Sequence, residues 1–251
     1  MTLLLPLVFF GVAFLYAMAG FGGGSSYIAF LAISGLPVGA IPVLALICNL
    51  IVAGQGSLIL AKGGHLKSRF LVPLLACSIP AAFIGGAWRI DSQAYLWILT
   101  VVLTLSGVTL LNPTPPHSGD SVPRSRPFYC VLGTILGALA GLSGIGGGIF
   151  LAPILHLLKA GKAREIAGAS ALFIALNSAA GLLGQLSKDL DRLTGIPTFL
   201  FIACPLAVLV GGTIGSYNLS LKLPPSAIRR VTACVVLIAA VRLWLRLVLQ
   251  Y

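Results

Sequence analysis

Long apolar runs separated by short polar joints make up almost the whole chain. They fall at Leu3–Ala19, Ser25–Ser34, Ile41–Ala61, Phe70–Trp88 and Tyr95–Leu111. A second set follows at Phe128–Leu142, Ile149–Leu158, Ile166–Leu186, Ile196–Tyr217 and Arg229–Val248. Most approach the ~20 residues that carry a helix across a hydrocarbon core of ~30 Å. Two do not: Ser25–Ser34 and Ile149–Leu158 are too short to cross straight. Each directly follows three glycines, Gly22, Gly23 and Gly24 or Gly146, Gly147 and Gly148. These short pieces read as half-helices or as tilted continuations of the span before them. Alternating segments of about ten residues, the mark of a membrane barrel, do not occur. The pattern predicts an all-α polytopic membrane protein of about eight transmembrane helices.

The glycine triplets stand 124 residues apart, and the elements around them recur in order. In each half a glycine-broken first helix precedes a span with a mid-membrane asparagine, Asn49 or Asn177. A third span carries a proline and then a glycine pair, Pro80 with Gly85 and Gly86, or Pro205 with Gly211 and Gly212. A fourth span closes the half. Between the halves lies NPTPPHSGDSVPRSRP, a polar linker with five prolines. The chain therefore divides into a first transmembrane repeat at 1–111, a linker at 112–127 and a second repeat at 128–251. Four crossings per half would make the repeats parallel and an odd number would invert them. The inverted arrangement is the expectation, because it brings both glycine breaks to the membrane midplane, where transporters of this kind bind substrate.

Composition agrees with the membrane reading: 58% of residues are hydrophobic and 8% charged, against about 25% charged in ordinary soluble domains. The opening residues lack a basic segment and a small-residue cleavage site, so Leu3–Ala19 is expected as a retained span. Sixteen Lys and Arg against five acids give a net charge of +11. Most of these cations read as juxtamembrane anchors that meet anionic lipid; at a pore mouth they would also gather anions. All five cysteines lie in apolar spans without metal-ligand spacing and read as packing residues. No cofactor motif and no nucleic-acid-binding pattern is present.

Three adjacent glycines inside a helix cost about 3 kcal/mol relative to alanine, and lipid tolerates a broken backbone only where protein buries it or a cavity is lined. If a helix begins just after each run, its first N–H groups are unpaired and its dipole is positive there, which makes a place for an anion. Ser25 and Ser26 follow the first run and add hydroxyls; Ile149 and Phe150 hold the matching positions after the second. Lone glycine pairs such as Gly85 and Gly86 read instead as close helix packing. Asn49 and Asn177 are candidate substrate contacts, Gln55 and Gln185 weaker ones. Asp91, Asp120, Glu165, Asp189 and Asp191 all fall in loops or at span edges, which argues against a carboxylate proton relay. An intramembrane enzyme would need a catalytic set such as H-E-x-x-H or paired intramembrane aspartates, and neither is present.

GLSGIGGGIFLAP at 141–153, followed by AGASAL at 167–172, resembles the repeated signature of the sulfite exporter TauE/SafE family. AGFGGGSS at 19–26, with GLP at 35–37, is similar. The chain departs at Ala29, where the second copy has Pro153, and at VLAL (43–46), where the second copy has AGASAL. The resemblance covers nearly the whole chain. It implies a multi-pass protein of the cell (inner) membrane that moves a sulfur-containing anion such as sulfite, sulfoacetate or another organosulfonate, most often outward. Carried over, both glycine runs and the span holding Ser170 and Asn177 would line the path. The expected partners are a small anionic substrate, the lipid bilayer and a second copy of the chain. The alternatives are an uptake permease for thiosulfate, a sulfonate or another small organic anion, and a non-transporting membrane scaffold.

Overall fold

The computed structural model describes residues 2–18, 22–64, 66, 70–111, 124–161, 163–188, 196–217 and 225–249. Most of the expected linker, the loop aspartates 120, 189 and 191, and Gly20 and Phe21 of the first motif lie outside the described residues. Among the described residues the regular structure is helical throughout. Eight helices are long: α1 (Leu5–Met18), α3 (Ile41–Lys62), α4 (Leu71–Ala87), α5 (Ser92–Leu111), α6 (Arg126–Ser143), α8 (Ala163–Leu186), α9 (Leu200–Tyr217) and α10 (Pro225–Val248). Two are short, α2 (Gly24–Ile33) and α7 (Gly148–Leu157). At 1.5 Å per residue the short pair reaches about 15 Å, half a membrane core. Among the described residues four segments are long and apolar enough to cross a membrane by length and composition alone: Val38–Lys62, Ser92–Leu111, Arg126–Ser143 and Arg164–Leu186. Large apolar side chains such as Leu58, Val72, Val131, Leu183, Ile202 and Ile238 cover the outside. In lipid these helices satisfy their own backbones and need no polar coat.

Small residues set how the helices pair. A Cβ on Gly133, Gly137 or Gly141 of α6 would run into the carbonyls of Leu74, Ser78 and Ala82 of α4. The numbers rise together, so α4 and α6 lie parallel with their backbones nearly touching. Gly211 and Gly215 of α9 meet the carbonyls of Phe10 and Phe14 in the same way, which makes α1 and α9 parallel. The glycine pairs thus serve close packing: Gly85 and Gly86 abut the carbonyls of Ala138 and Gly181. Helices α3 and α8 cross the centre in opposite directions, since Leu46 reaches Gly181 while Ala53 packs with Ile174.

Both short helices double back. Gly23 lies on Val12 of α1, and Tyr27 of α2 stacks on Phe9 at 4.7 Å between ring centroids. Gly147 lies against Ala140 and the Leu136 carbonyl of α6. A continuous helix would put Leu136 and Gly147 about 16 Å apart. Of the two expectations for these pieces, half-helix and tilted continuation, the structure selects the half-helix, reached through a hairpin turn.

The half-helices have matching neighbours: α2 lies on α3 and α10, α7 on α8 and α5. One apolar cluster joins the N-terminal parts of α1, α3 and α9 with α2, α5 and α10; a second joins those of α4, α6 and α8 with α7. The α1, α3, α9 group and the α4, α6, α8 group run in opposite directions, because α3 opposes α8. It follows that α1 and α6 cross in opposite senses. α5 and α10 pair antiparallel, with Gly107 on Leu237 and Trp97 edge-on to Trp244.

Candidate functional site

The second glycine turn is built from left-handed glycines. Gly144, Gly146 and Gly147 have φ of 81°, 82° and 74°, values that a side chain strains. The end of α6 is tied down on three sides: Gly144 N–H donates to Ala140 O (3.0 Å), Tyr95 OH to Ser143 O (3.1 Å), and Gln185 Nε2 to Gly141 O (3.0 Å). Helix α7 then starts at Gly148 with no side-chain cap on Gly147. The first turn differs. Gly23, which precedes α2, has φ of −91° and likewise no side-chain cap. Ser25 and Ser26 sit buried in the first turn of α2, where Ser26 Oγ lies 3.1 Å from Tyr16 OH. Among the described residues neither half-helix has a side-chain cap at its start, where the first N–H groups of a helix lack intrahelical partners, although Phe150 N–H turns back to Gly147 O at 3.2 Å.

The two turns touch. A Cβ on Gly24 would collide with the Ile145 carbonyl and the Asn49 amide nitrogen. Asn49, wholly buried on α3, joins them: Nδ2 donates to Ile145 O at 3.0 Å and stands 3.5 Å from Gly144 O. Its Oδ1 lies 3.3 Å from where a Cβ on Gly22 would stand. Across from it, Ile174 of α8 borders Gly22, Gly146 and Gly148. Exchanging the halves turns Asn49 into Ile174, and Ala53, beside Gly22, into Ser178, whose Oγ is 3.1 Å from the Cβ position of Gly146. The centre thus has one amide and one hydroxyl, each paired with an apolar counterpart.

Asn177 is elsewhere. Its amide donates to Ser78 Oγ (3.0 Å) and Phe173 O (2.8 Å), in the seam between α8 and α4, and the position matching Asn49 is Ile174, three residues earlier. Ser170 is fully buried, and its carbonyl lies 3.6 Å from the Cβ position of Gly148. Of the sequence candidates, the structure brings together Gly22, Gly24, Gly146, Gly148 and Asn49. Ser178, a serine inside an apolar span next to Asn177, was not among those candidates. Gln55, a weaker candidate, instead joins α3 to α9 through Thr213 Oγ1 at 2.9 Å.

A cavity of about 450 Å³ lies on the face where α8 ends, lined among others by Pro42, Trp88, Asp91, Tyr95, Leu142 and Lys188. Pro42 is also a contact of Gly144, and Tyr95 bonds Ser143 O, so the cavity borders the second turn. Lys188, 8% exposed, donates to Gln185 Oε1 at 3.1 Å.

The family model for sulfite exporter TauE/SafE matches residues 5–243. This chain belongs to the TauE/SafE family. It is 30% identical over 243 residues to a Sinorhizobium fredii (strain NBRC 101917 / NGR234) protein described as "Probable membrane transporter protein y4hK", covering 95% of this chain and 96% of that one. It is also 30% identical over 96 residues to "Sulfite exporter TauE/SafE family protein 2" of Arabidopsis thaliana, covering 38% of this chain and 20% of that protein. No solved structure matches. As a TauE/SafE protein with this helical build, the chain is a multi-pass membrane transporter.

Proposed function

We propose that this TauE/SafE protein exports a small sulfur-containing anion, such as sulfite, sulfoacetate or another organosulfonate, across the cell (inner) membrane. One observation carries the reading: two half-helices begin side by side at the buried Asn49, in a centre where glycines keep side chains away. Their free N–H groups and positive dipole ends favour negative charge. The anion would bind between Gly22, Gly23, Gly24 and Gly146, Gly147, Gly148, reached through the cavity behind the second turn. The opposed running of α1 and α6, with the mirrored packing around α2 and α7, supports reading 1–111 and 128–251 as inverted repeats. Rocking of the two helix groups about the centre would then expose it to each face in turn.

Direction follows from electrostatics. An inside-negative potential drives each exported negative charge by about 2.3 kcal/mol per 100 mV. Export therefore needs no coupling ion, whereas concentrative uptake does. The test is efflux of sulfite or sulfoacetate from proteoliposomes under an imposed potential. Outward flux that grows as the interior becomes more negative is the expected result. Flux that survives both Gly23→Val and Gly147→Val would remove the glycine turns from the path.

A further inference from the structure

Asn49 cannot turn its amide round. Its Nδ2 faces the carbonyl oxygens of Ile145 and Gly144, and carbonyl oxygens only accept. Reversal would set Oδ1 against two acceptors. Oδ1 is thereby held toward Gly22, with no donor among the described residues and no exposure to solvent. A buried acceptor without a partner calls for an explanation; Asn177 Oδ1 in the seam between α8 and α4 lacks one too, but Asn49 Oδ1 is the one that faces the glycine turns. This orphan lies between the starts of two ten-residue helices, whose N–H groups favour an anion. A bare anion answers those donors but is repelled by an amide oxygen. Near Gly146, the hydroxyl of Ser178 is also buried without a partner, and it can donate or accept.

We infer that the ligand of the central site is a singly charged oxyanion that carries its own O–H, a protonated oxyanion of the form XO₃H⁻, which donates to Asn49 Oδ1 while its other oxygens accept from the half-helix N–H groups. Hydrogensulfite fits this description and the sulfite dianion does not. The inference rests on the anion-transport reading and narrows it to sulfite in its singly protonated form, since the sulfonate group of an organosulfonate carries no O–H. Ile174 in the mirrored position offers no second acceptor, so a single donor on the ligand suffices.

Methylphosphonate monoanion and methanesulfonate have the same charge and nearly the same shape, and only the first carries an O–H. Ligand-dependent thermal stabilisation of the purified full-length protein in detergent measures each. At a pH where methylphosphonate is a monoanion, its half-saturating concentration is expected to be about tenfold lower, the usual consequence of leaving a buried acceptor unsatisfied. Raising the pH through its second ionisation should abolish that advantage, while methanesulfonate stays unchanged. Asn49→Leu should make the two anions equivalent; if that variant does not fold, the pair measured on the wild-type protein decides alone. Equal binding of the two, or a dianion that binds as well as the monoanion, overturns the donor requirement and leaves anion transport standing. Failure of methylphosphonate, methanesulfonate and sulfite alike to stabilise the protein or cross the membrane overturns both.

Discussion

The two glycine turns share a sequence pattern and differ in how they are held. The second is locked by its backbone, with three left-handed glycines and hydrogen bonds from Tyr95 and Gln185 to the end of α6. The first is held by side chains: a Cβ on Gly23 would meet Val12 and Tyr27, and one on Gly22 would meet Ile174, Asn49 and Ala53. A repeated motif therefore does not imply repeated mechanics. Among the described residues the left-handed glycines of the two motifs lie in the second copy, while Asn49, the central amide, sits on α3 of the first half and bonds the second turn.

Several substitutions probe that difference. The largest effect belongs to Gly24→Val, where the first turn meets the second: a side chain there strikes the Ile145 carbonyl, which cannot yield. Loss of folded protein in detergent, seen by size-exclusion chromatography, is expected. Next comes the matched pair Gly146→Ala and Gly22→Ala. At Gly146 alanine carries the left-handed penalty of about 1–2 kcal/mol as well as contacts of 3.0–3.2 Å, so thermal stability and flux should both fall. At Gly22 the nearest contacts are 3.2–3.6 Å and the backbone is not left-handed. Stability should there be nearly kept while flux drops. Equal destabilisation by the two would erase the contrast between the turns.

The asparagines come third. Asn49→Leu should remove the tenfold preference for the anion that carries an O–H. Asn177→Leu should instead cost about 1–2 kcal/mol of stability, because it removes hydrogen bonds to Ser78 and Phe173 O, with anion binding retained. Measuring both quantities on both variants separates binding from packing. The smallest effect is expected from Ser178→Ala. Its hydroxyl has no partner among the described residues, so stability should hold within about 0.5 kcal/mol, with a severalfold weaker response to the anion.

Much of this was readable from residues. Three glycines in an apolar run announce an interruption, and an even succession of apolar stretches announces membrane helices. Whether the chain continues or returns after the interruption was not readable. Glycine permits either, and contacts such as Gly147 with Leu136 decide it from a distance of eleven residues. The pairing of Asn49 with Asn177 failed for a similar reason. The offset between halves is 124 at the glycines and 125 on the helices that follow, so Ile174 matches Asn49, and Asn177 lies three residues beyond, on another part of the helix surface. Ser178 was hidden because a serine in an apolar helix ordinarily bonds its own backbone, and only the packing of Gly146 beside it singles it out.

The most direct measurement is the anomalous scattering of selenium in crystals soaked with selenite at a pH where it is singly protonated. A selenium peak between Gly22–Gly24 and Gly146–Gly148, within hydrogen-bond reach of Asn49 Oδ1, is the expected result. A peak confined to the cavity by Lys188, or on the lipid-facing surface, with the two turns still closed on each other in a transporting protein, would contradict it.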